Sequence, residues 1–355
     1  MYYFDDGKRF SSKIEATEYS LKSRKGFRLY YFDEVYSRQN WKVEPPHSLD
    51  HYYLEQAKRI RDIYDYVIIC YSGGYDSTNI LETFYFNNLK IDKIVTVGAL
   101  SQDTLNLSDE NHNGELYYNV FPYIKDLGLE DITQVCDYTT YFGDKNNFSI
   151  LKYEDSWIDH IGTRYSPHNW FWRDIEKFVV PKEWEDKKVA IIFGKDKPYM
   201  MWGKDDVLSR EPSSHKIGFA FTDSAALNYG NVFSHESCDR INFYWDPNFP
   251  EIIIKQMHVL KRHYELNREY NFDMSMLSQK FSNLSTDDLV YNLKRKLVFK
   301  SPKSHNIYFS LRDNFIANKK DSAIYKLYVQ GLAKMQGRVY DLNLKTVYSK
   351  FYSIE

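Results

Sequence analysis

The sequence predicts an α/β fold, a doubly wound parallel sheet over residues 61–200 with an N-terminal extension (1–60) and a mostly helical C-terminal region (201–355). Three observations lead there. An apolar run at 67–71 passes into Ser72, Gly73, Gly74, Tyr75, Asp76 and Ser77, and these into residues at helical spacing. Further apolar runs at 92–100, 132–136 and 188–193 are separated by helical or longer connections, the rhythm of parallel strands and crossovers. No internal repeat or low-complexity tract suggests a different architecture.

Taken in order, residues 1–60 open on a short aromatic stretch of hairpin character. After the breaker Glu44, Pro45 and Pro46 they run into a helical segment at 49–61. Asp65 punctuates the start of the first core strand, whose near-continuous apolar character suits the middle of a parallel sheet. Beyond the glycines, Ile80, Leu81, Phe84, Tyr85 and Leu89 recur at helical spacing, so Asp76, Ser77 and Thr78 fall at the helix N-terminus. Unpaired backbone N–H groups and the positive end of the helix dipole favour an anion there. Gly73 and Gly74 let the backbone take positive φ and approach that anion with no Cβ in the way. The second strand ends at Gly98. Leu116, Tyr117, Val120, Phe121, Ile124 and Leu127 then mark a helix that Pro122 should kink or start late. Strands at 132–136 and 188–193 complete the expected sheet. Its ligand would lie beyond the carboxyl ends of the strands.

No lysine follows the glycines, which excludes a Walker loop, and the spacing cannot supply G-x-G-x-x-G. The hexapeptide instead resembles the signature of the N-type ATP pyrophosphatases, the PP-loop family of adenine nucleotide alpha hydrolase-like domains. Its pattern is nearest to the synthetase domain of asparagine synthetase. The match covers Ser72, Gly73, Gly74, Asp76 and Ser77, with Tyr75 at the variable position.

The resemblance implies a sheet of the HUP type whose loop, Ser72 to Ser77, holds the pyrophosphate end of ATP. It also implies cleavage between the α and β phosphates to form an adenylated substrate. Ser72 and Ser77 would then be phosphate-binding hydroxyls, and Val97, Gly98 and Ala99 would touch adenine through the backbone; Gly98 as a plain strand end stands as an equal alternative. With no loop lysine, Mg²⁺ and basic side chains from elsewhere must neutralise the phosphates. After the fourth strand, Gly194 matches a glycine- and acid-rich loop of asparagine synthetase-like members, whereas Lys195 and Lys197 depart from it. On this reading Gly194 helps hold ATP and Asp196 joins Asp76 as a Mg²⁺ ligand. Asp76, Lys195 and Lys197 form the catalytic set, one lysine stabilising the departing pyrophosphate. A charged, solvated turn at 194–198 is the alternative.

Composition sets outer limits. The chain has 355 residues, formal charge −2 and pI about 6.6, so no global field draws it to nucleic acid or membrane. It opens on neither a signal peptide nor a basic presequence, and no run of about 18 apolar residues occurs, so a cytoplasmic location is expected. The 32 tyrosines and 23 phenylalanines, with plentiful Asn, Lys and Ile, look like AT-rich coding and suggest a phage origin and a host cytoplasm. Cys70, Cys136 and Cys238 lack C-x-x-C spacing, which argues against a disulfide framework, a zinc ribbon or an iron–sulfur cluster. His235 and Cys238 are two groups, too few for a metal site. Tyr2 stands where a glutaminase domain would begin with cysteine.

An aromatic-rich insertion at 156–173 is either core or a substrate wall with Arg164, His168, Asn169 and Arg173 as its polar contacts. Lys255 and Lys261 are read as a solvated helix face ahead of catalytic lysines. The basic stretch 291–303 reads as an edge strand ahead of a nucleic-acid grip. Three functions follow. The first is an adenylating ligase or amidotransferase-like enzyme in which an amine displaces AMP. The second is a tRNA- or nucleobase-modifying enzyme, including thiolation through Cys136 or Cys238. The third is a nucleotide-binding module without turnover. The partner is a small-molecule or nucleobase substrate; nucleic acid stays open though the net charge does not indicate it.

Overall fold

The computed structural model of the protein describes residues 1–10, 13–98, 100, 113, 115–137, 175–194, 199–204, 207–209, 216–221, 238–266 and 347–355. The chain begins with strands β1 (Tyr2–Phe4) and β2 (Arg9–Phe10), helix α1 (Lys13–Ser23) and strand β3 (Phe27–Leu29), forming an antiparallel sheet of order β2-β1-β3. The first two strands are the expected hairpin. Gly7, at φ +85°, turns it, and its N–H donates to the Phe4 carbonyl at 2.9 Å. Phe4 anchors this layer by ring contacts with Phe10, Tyr19 and Phe27 at 5.6, 4.8 and 5.2 Å. After α2 (Asp33–Tyr36), the Pro45–Pro46 breaker leads to α3 (Leu49–Ile63), where Ser48 caps the helix by accepting from the His51 N–H at 3.2 Å.

Next come β4 (Tyr66–Cys70), α4 (Tyr75–Tyr85), β5 (Lys93–Gly98), α5 (Phe121–Leu127), β6 (Thr133–Asp137), α6 (Glu176–Val179) and β7 (Val189–Phe193). They are followed by β8 (Tyr199–Lys204), β9 (Val207–Ser209), β10 (Lys216–Ala220), β11 (Cys238–Asn242), α7 (Glu251–Leu266) and β12 (Tyr352–Ser353). Five strands form one parallel sheet of order β11-β7-β4-β5-β6, so the fold is α/β. The four expected strands are all present. The fifth, Cys238–Asn242, comes from beyond residue 200, so the sheet is not confined to 61–200. Pro122 has the effect expected of it. It sits in the first turn of α5, and the turn before it, Leu116–Val120, widens to a π-helix in which the Phe121 N–H reaches the Leu116 carbonyl five residues back.

The sheet is apolar on both faces, as a parallel sheet must be. Val67, Ile69, Tyr71, Ile94, Ala190 and Ile192 point into one core with Ala57 and Ile60 of α3, Leu81 and Phe84 of α4, Ile124 of α5 and Met257 of α7. Ile68, Val95 and Ile191 are equally buried on the other face. There Trp184 stacks on Tyr66 at 4.0 Å, and the Lys93 ammonium donates to the Val179 carbonyl at 2.8 Å. Arg240, a buried charged residue of β11, pairs on that face with Glu176 of α6.

A second, antiparallel sheet has order β12-β10-β8-β9 and brings the last residues of the chain back to its beginning. The Leu29 N–H donates to the Tyr348 carbonyl at 2.8 Å. Tyr31, Tyr36, Trp41, Phe219, Phe221, Trp245 and Tyr352 fill the space between, with Tyr31 and Trp245 rings at 5.0 Å and Trp41 and Phe219 at 4.4 Å. Part of the aromatic richness serves this packing. The described part of 201–355 thus contains strands as well as α7, and 291–303 lies outside the described residues. Among the described residues no helix is long and apolar enough to cross a membrane.

Replacing Glu176 with Ala removes the carboxylate facing a guanidinium whose side chain has no exposure, and should cost about 3 kcal/mol. Urea unfolding checks this; a loss under about 1 kcal/mol would mean the pair does not secure the edge strand.

Candidate functional site

The chain leaves β4 toward β5 and β6 on one side, then returns to β7 and β11 on the other. Connections departing in opposite directions open a crevice at the carboxyl ends of β4 and β7, the place where ligands sit in open α/β sheets. The hexapeptide follows β4, and Gly194 follows β7. The two meet. A Cβ on Gly194 would lie 2.8 Å from the Ser77 nitrogen and 2.9 Å from the Asp76 carbonyl carbon, so only glycine lets β7 end against the first turn of α4. Gly73 is needed twice over: its φ is +75°, and a Cβ would lie 2.7 Å from that of Asn119 in the π turn.

The hydroxyls of Ser72 and Ser77 brace the loop. Ser77 Oγ accepts from the Ser72 N–H at 3.2 Å and donates to the Gly74 carbonyl at 3.1 Å, and the two hydroxyls are 3.2 Å apart. Ser72 is exposed and Ser77 buried. Gly74 is the N-cap of α4, with no side-chain cap bond. The first intrahelical bond runs from the Thr78 N–H to the Gly74 carbonyl at 2.9 Å, so the N–H groups ahead of Thr78, those of Tyr75 and Ser77 among them, have no acceptor within the helix. Backbone donors aimed out of a helix start, next to two cradling glycines, suit an anion.

Behind the loop lies a polar layer that sequence reasoning missed. The Tyr244 hydroxyl, just past β11, donates to the Asp76 carbonyl at 2.6 Å and accepts from Asn79 Nδ2 at 3.0 Å. Tyr53 of α3 meets the Tyr244 ring edge-on at 5.5 Å and accepts from Gln256 Nε2 at 3.2 Å. Burial pushes both phenols well above their ordinary range, and the nearby Asp76 carboxylate pushes in the same direction. Asp76 itself is buried, 7% exposed. Tyr71, also buried, is pushed up to about 12. No periodicity distinguishes Tyr53 or Tyr244 among 32 tyrosines.

Among the described residues no three or more His, Cys, Asp or Glu side chains gather into a metal cage. Val97 is buried at the end of β5, and a Cβ on Gly98 would meet Leu116 Cδ1 at 2.4 Å and Asn113 Oδ1 at 3.0 Å. Position 98 is therefore closely packed, but against side-chain ends rather than backbone. Tyr75 opens α4. Lys195, Asp196, Lys197, Ala99, His235, Arg164, His168, Asn169 and Arg173 lie outside the described residues. Lys255 departs from a solvated face: it is buried, paired with Glu44 at 2.5 Å and donating to the Pro45 carbonyl at 3.0 Å, while Lys261 lies 3.9 Å from Glu355.

All three cysteines are buried and free of disulfides. Burial raises the Cys70 thiol well above its ordinary value, Cys136 to about 11 and Cys238 to about 12. Cys238 begins β11, at the amino end of the sheet, opposite the loop. No family model, curated protein or solved structure matches the chain.

Gly194→Ala should destabilise the fold by about 1–3 kcal/mol, because the methyl meets backbone that cannot swing aside. Gly26→Ala, whose methyl meets nothing within 4 Å, is the control. Equal melting temperatures for the two variants would refute the close approach.

For the thiols, folding suppresses ionisation. The stability this confers is full below the ordinary thiol value of 9.0 and is lost as pH climbs toward 11 for Cys136 and 12 for Cys238. Native protein at pH 8 should react slowly with Ellman's reagent and rapidly after denaturation; immediate reaction of any thiol would contradict its burial.

Proposed function

We propose that the chain is an ATP-dependent adenylating enzyme of the N-type ATP pyrophosphatase kind, built on a doubly wound sheet of HUP type. The observation that carries this reading is the meeting of the Ser72–Ser77 loop with Gly194 at the point where the strand order reverses. Helices on one face and α6 on the other, with that strand order, support the doubly wound topology.

In this reading the backbone donors around Gly73, Gly74 and the first turn of α4 grip the β and γ phosphates. Asp76 would hold Mg²⁺, joined by Asp196; the ion supplies charge neutralisation at the phosphates. Gly194 keeps the crevice open to the polyphosphate, and Lys195 or Lys197 would meet the departing pyrophosphate. Val97 and Gly98 would border the adenine. An acceptor oxygen attacks the α phosphorus in line, the α–β bond breaks, pyrophosphate leaves, and an amine then displaces AMP from the adenylated acceptor. Little covalent help is asked of the protein, because positioning and charge neutralisation supply most of the rate.

Thiolation through Cys136 or Cys238 is less well supported, since both thiols are buried and held protonated, and Cys238 lies at the far end of the sheet. A cytoplasmic enzyme acting on a small molecule or nucleobase is the setting we infer.

Purified protein incubated with Mg-ATP and pooled amino acids, nucleosides and tRNA should release pyrophosphate and AMP. ADP and phosphate as sole products would contradict α–β cleavage. ATP bound tightly with no pyrophosphate formed would favour a module without turnover. Asp76→Ala should abolish release while leaving the circular dichroism spectrum unchanged; an undiminished rate would remove Asp76 from the mechanism.

A further inference from the structure

The peptide unit joining Asp76 to Ser77 is held on both sides. Its carbonyl accepts from the Tyr244 hydroxyl at 2.6 Å, inside a layer where Tyr244 has no exposure. Its N–H is that of Ser77, which precedes the first intrahelical bond of α4 and whose nitrogen lies close to Gly194 at the end of β7. A peptide is planar, so fixing the carbonyl direction fixes the N–H direction. A hydrogen bond accepted by the carbonyl also polarises the unit and makes its N–H a better donor.

The geometry points to Tyr244 as a positioning residue of the nucleotide site, one that orients and strengthens the Ser77 N–H for an oxygen of the polyphosphate. This rests on the nucleotide reading above. Tyr244 touches no substrate in this role; it acts through the peptide it holds. Asn79 Nδ2 donates to the same phenol oxygen at 3.0 Å and leaves its proton directed at Asp76. The Tyr53 ring, edge-on at 5.5 Å, backs Tyr244 from α3. The loop's donors are thereby tied to segments on both sides of 61–200: Tyr53 lies before it and Tyr244 after it. A fragment trimmed to residues 61–200 would lose both supports.

The test is calorimetric titration of the full chain with Mg²⁺ and an α,β-methylene ATP analogue, and separately with AMP, which lacks the β and γ phosphates. Tyr244→Phe keeps the ring and removes only the hydroxyl. Its affinity for the analogue should fall roughly three- to tenfold, the range one hydrogen bond carries, while AMP affinity changes less than about twofold. Tyr36→Phe is the matched control: this buried phenol also donates to a carbonyl, that of Trp245 at 2.7 Å, in the aromatic layer between the sheets. It should lower the melting temperature and leave both affinities unchanged. Should Tyr244→Phe fail to fold, Asn79→Ala, which removes the partner orienting the phenol, should shift analogue affinity in the same direction by a smaller factor. Unchanged analogue affinity, or equal losses for analogue and AMP, would overturn the positioning role while leaving nucleotide binding standing. Wild-type protein that binds neither ligand would bring down the nucleotide reading and this inference with it.

Discussion

The contact on which the rest of the site depends is backbone against backbone: β7 ends on Gly194, which lies against the peptide between Asp76 and Ser77. β4 and β7 are parallel neighbours whose connections leave in opposite directions, so their ends border a crevice, and the first turn of α4 stands there. A methyl group at position 194 would displace that turn. The other glycine of the arrangement, Gly73, allows the loop to lie on the π turn that Pro122 imposes, so a proline 49 positions along the chain takes part in shaping the loop.

Around this point the flanking segments act as support. The first 60 residues and the last nine pack against the core through an aromatic layer, and β11 with Tyr244 closes the back of the loop. Because the chain's ends pair with each other and with β10, local opening at either end would expose the same layer. The buried pair of Arg240 and Glu176 plays the matching part on the opposite face, holding the outermost strand to the crossover that precedes β7.

The sequence was most legible where apolar runs are local and continuous. Val67 to Tyr71 and Val189 to Phe193 announce themselves as central strands, and the glycine pair followed by helical spacing placed the loop. The fifth strand was hidden because Cys238, Asp239, Arg240, Ile241 and Asn242 carry no apolar run. Arg240 is buried only because Glu176, 64 residues earlier, pairs with it. Lys255 misled for the same reason: its helix spacing suggested solvent, whereas Glu44, 211 residues away, encloses it. Ser72 and Ser77, read from the sequence as phosphate-binding hydroxyls, also brace the loop from within, a role the sequence did not announce. Tyr53 and Tyr244 gave no signal, since their role arises from tertiary placement alone.

Hydrogen exchange of individual backbone amides, followed with and without Mg²⁺ and a non-hydrolysable ATP analogue, bears most directly on the claim that this bend receives a polyphosphate. The account predicts slowed exchange centred on residues 73–77, with little change on the amino-end side of the sheet at Cys238 and Val189. Exchange at 73–77 that is indifferent to the analogue, or slowing confined to some other surface, would contradict it.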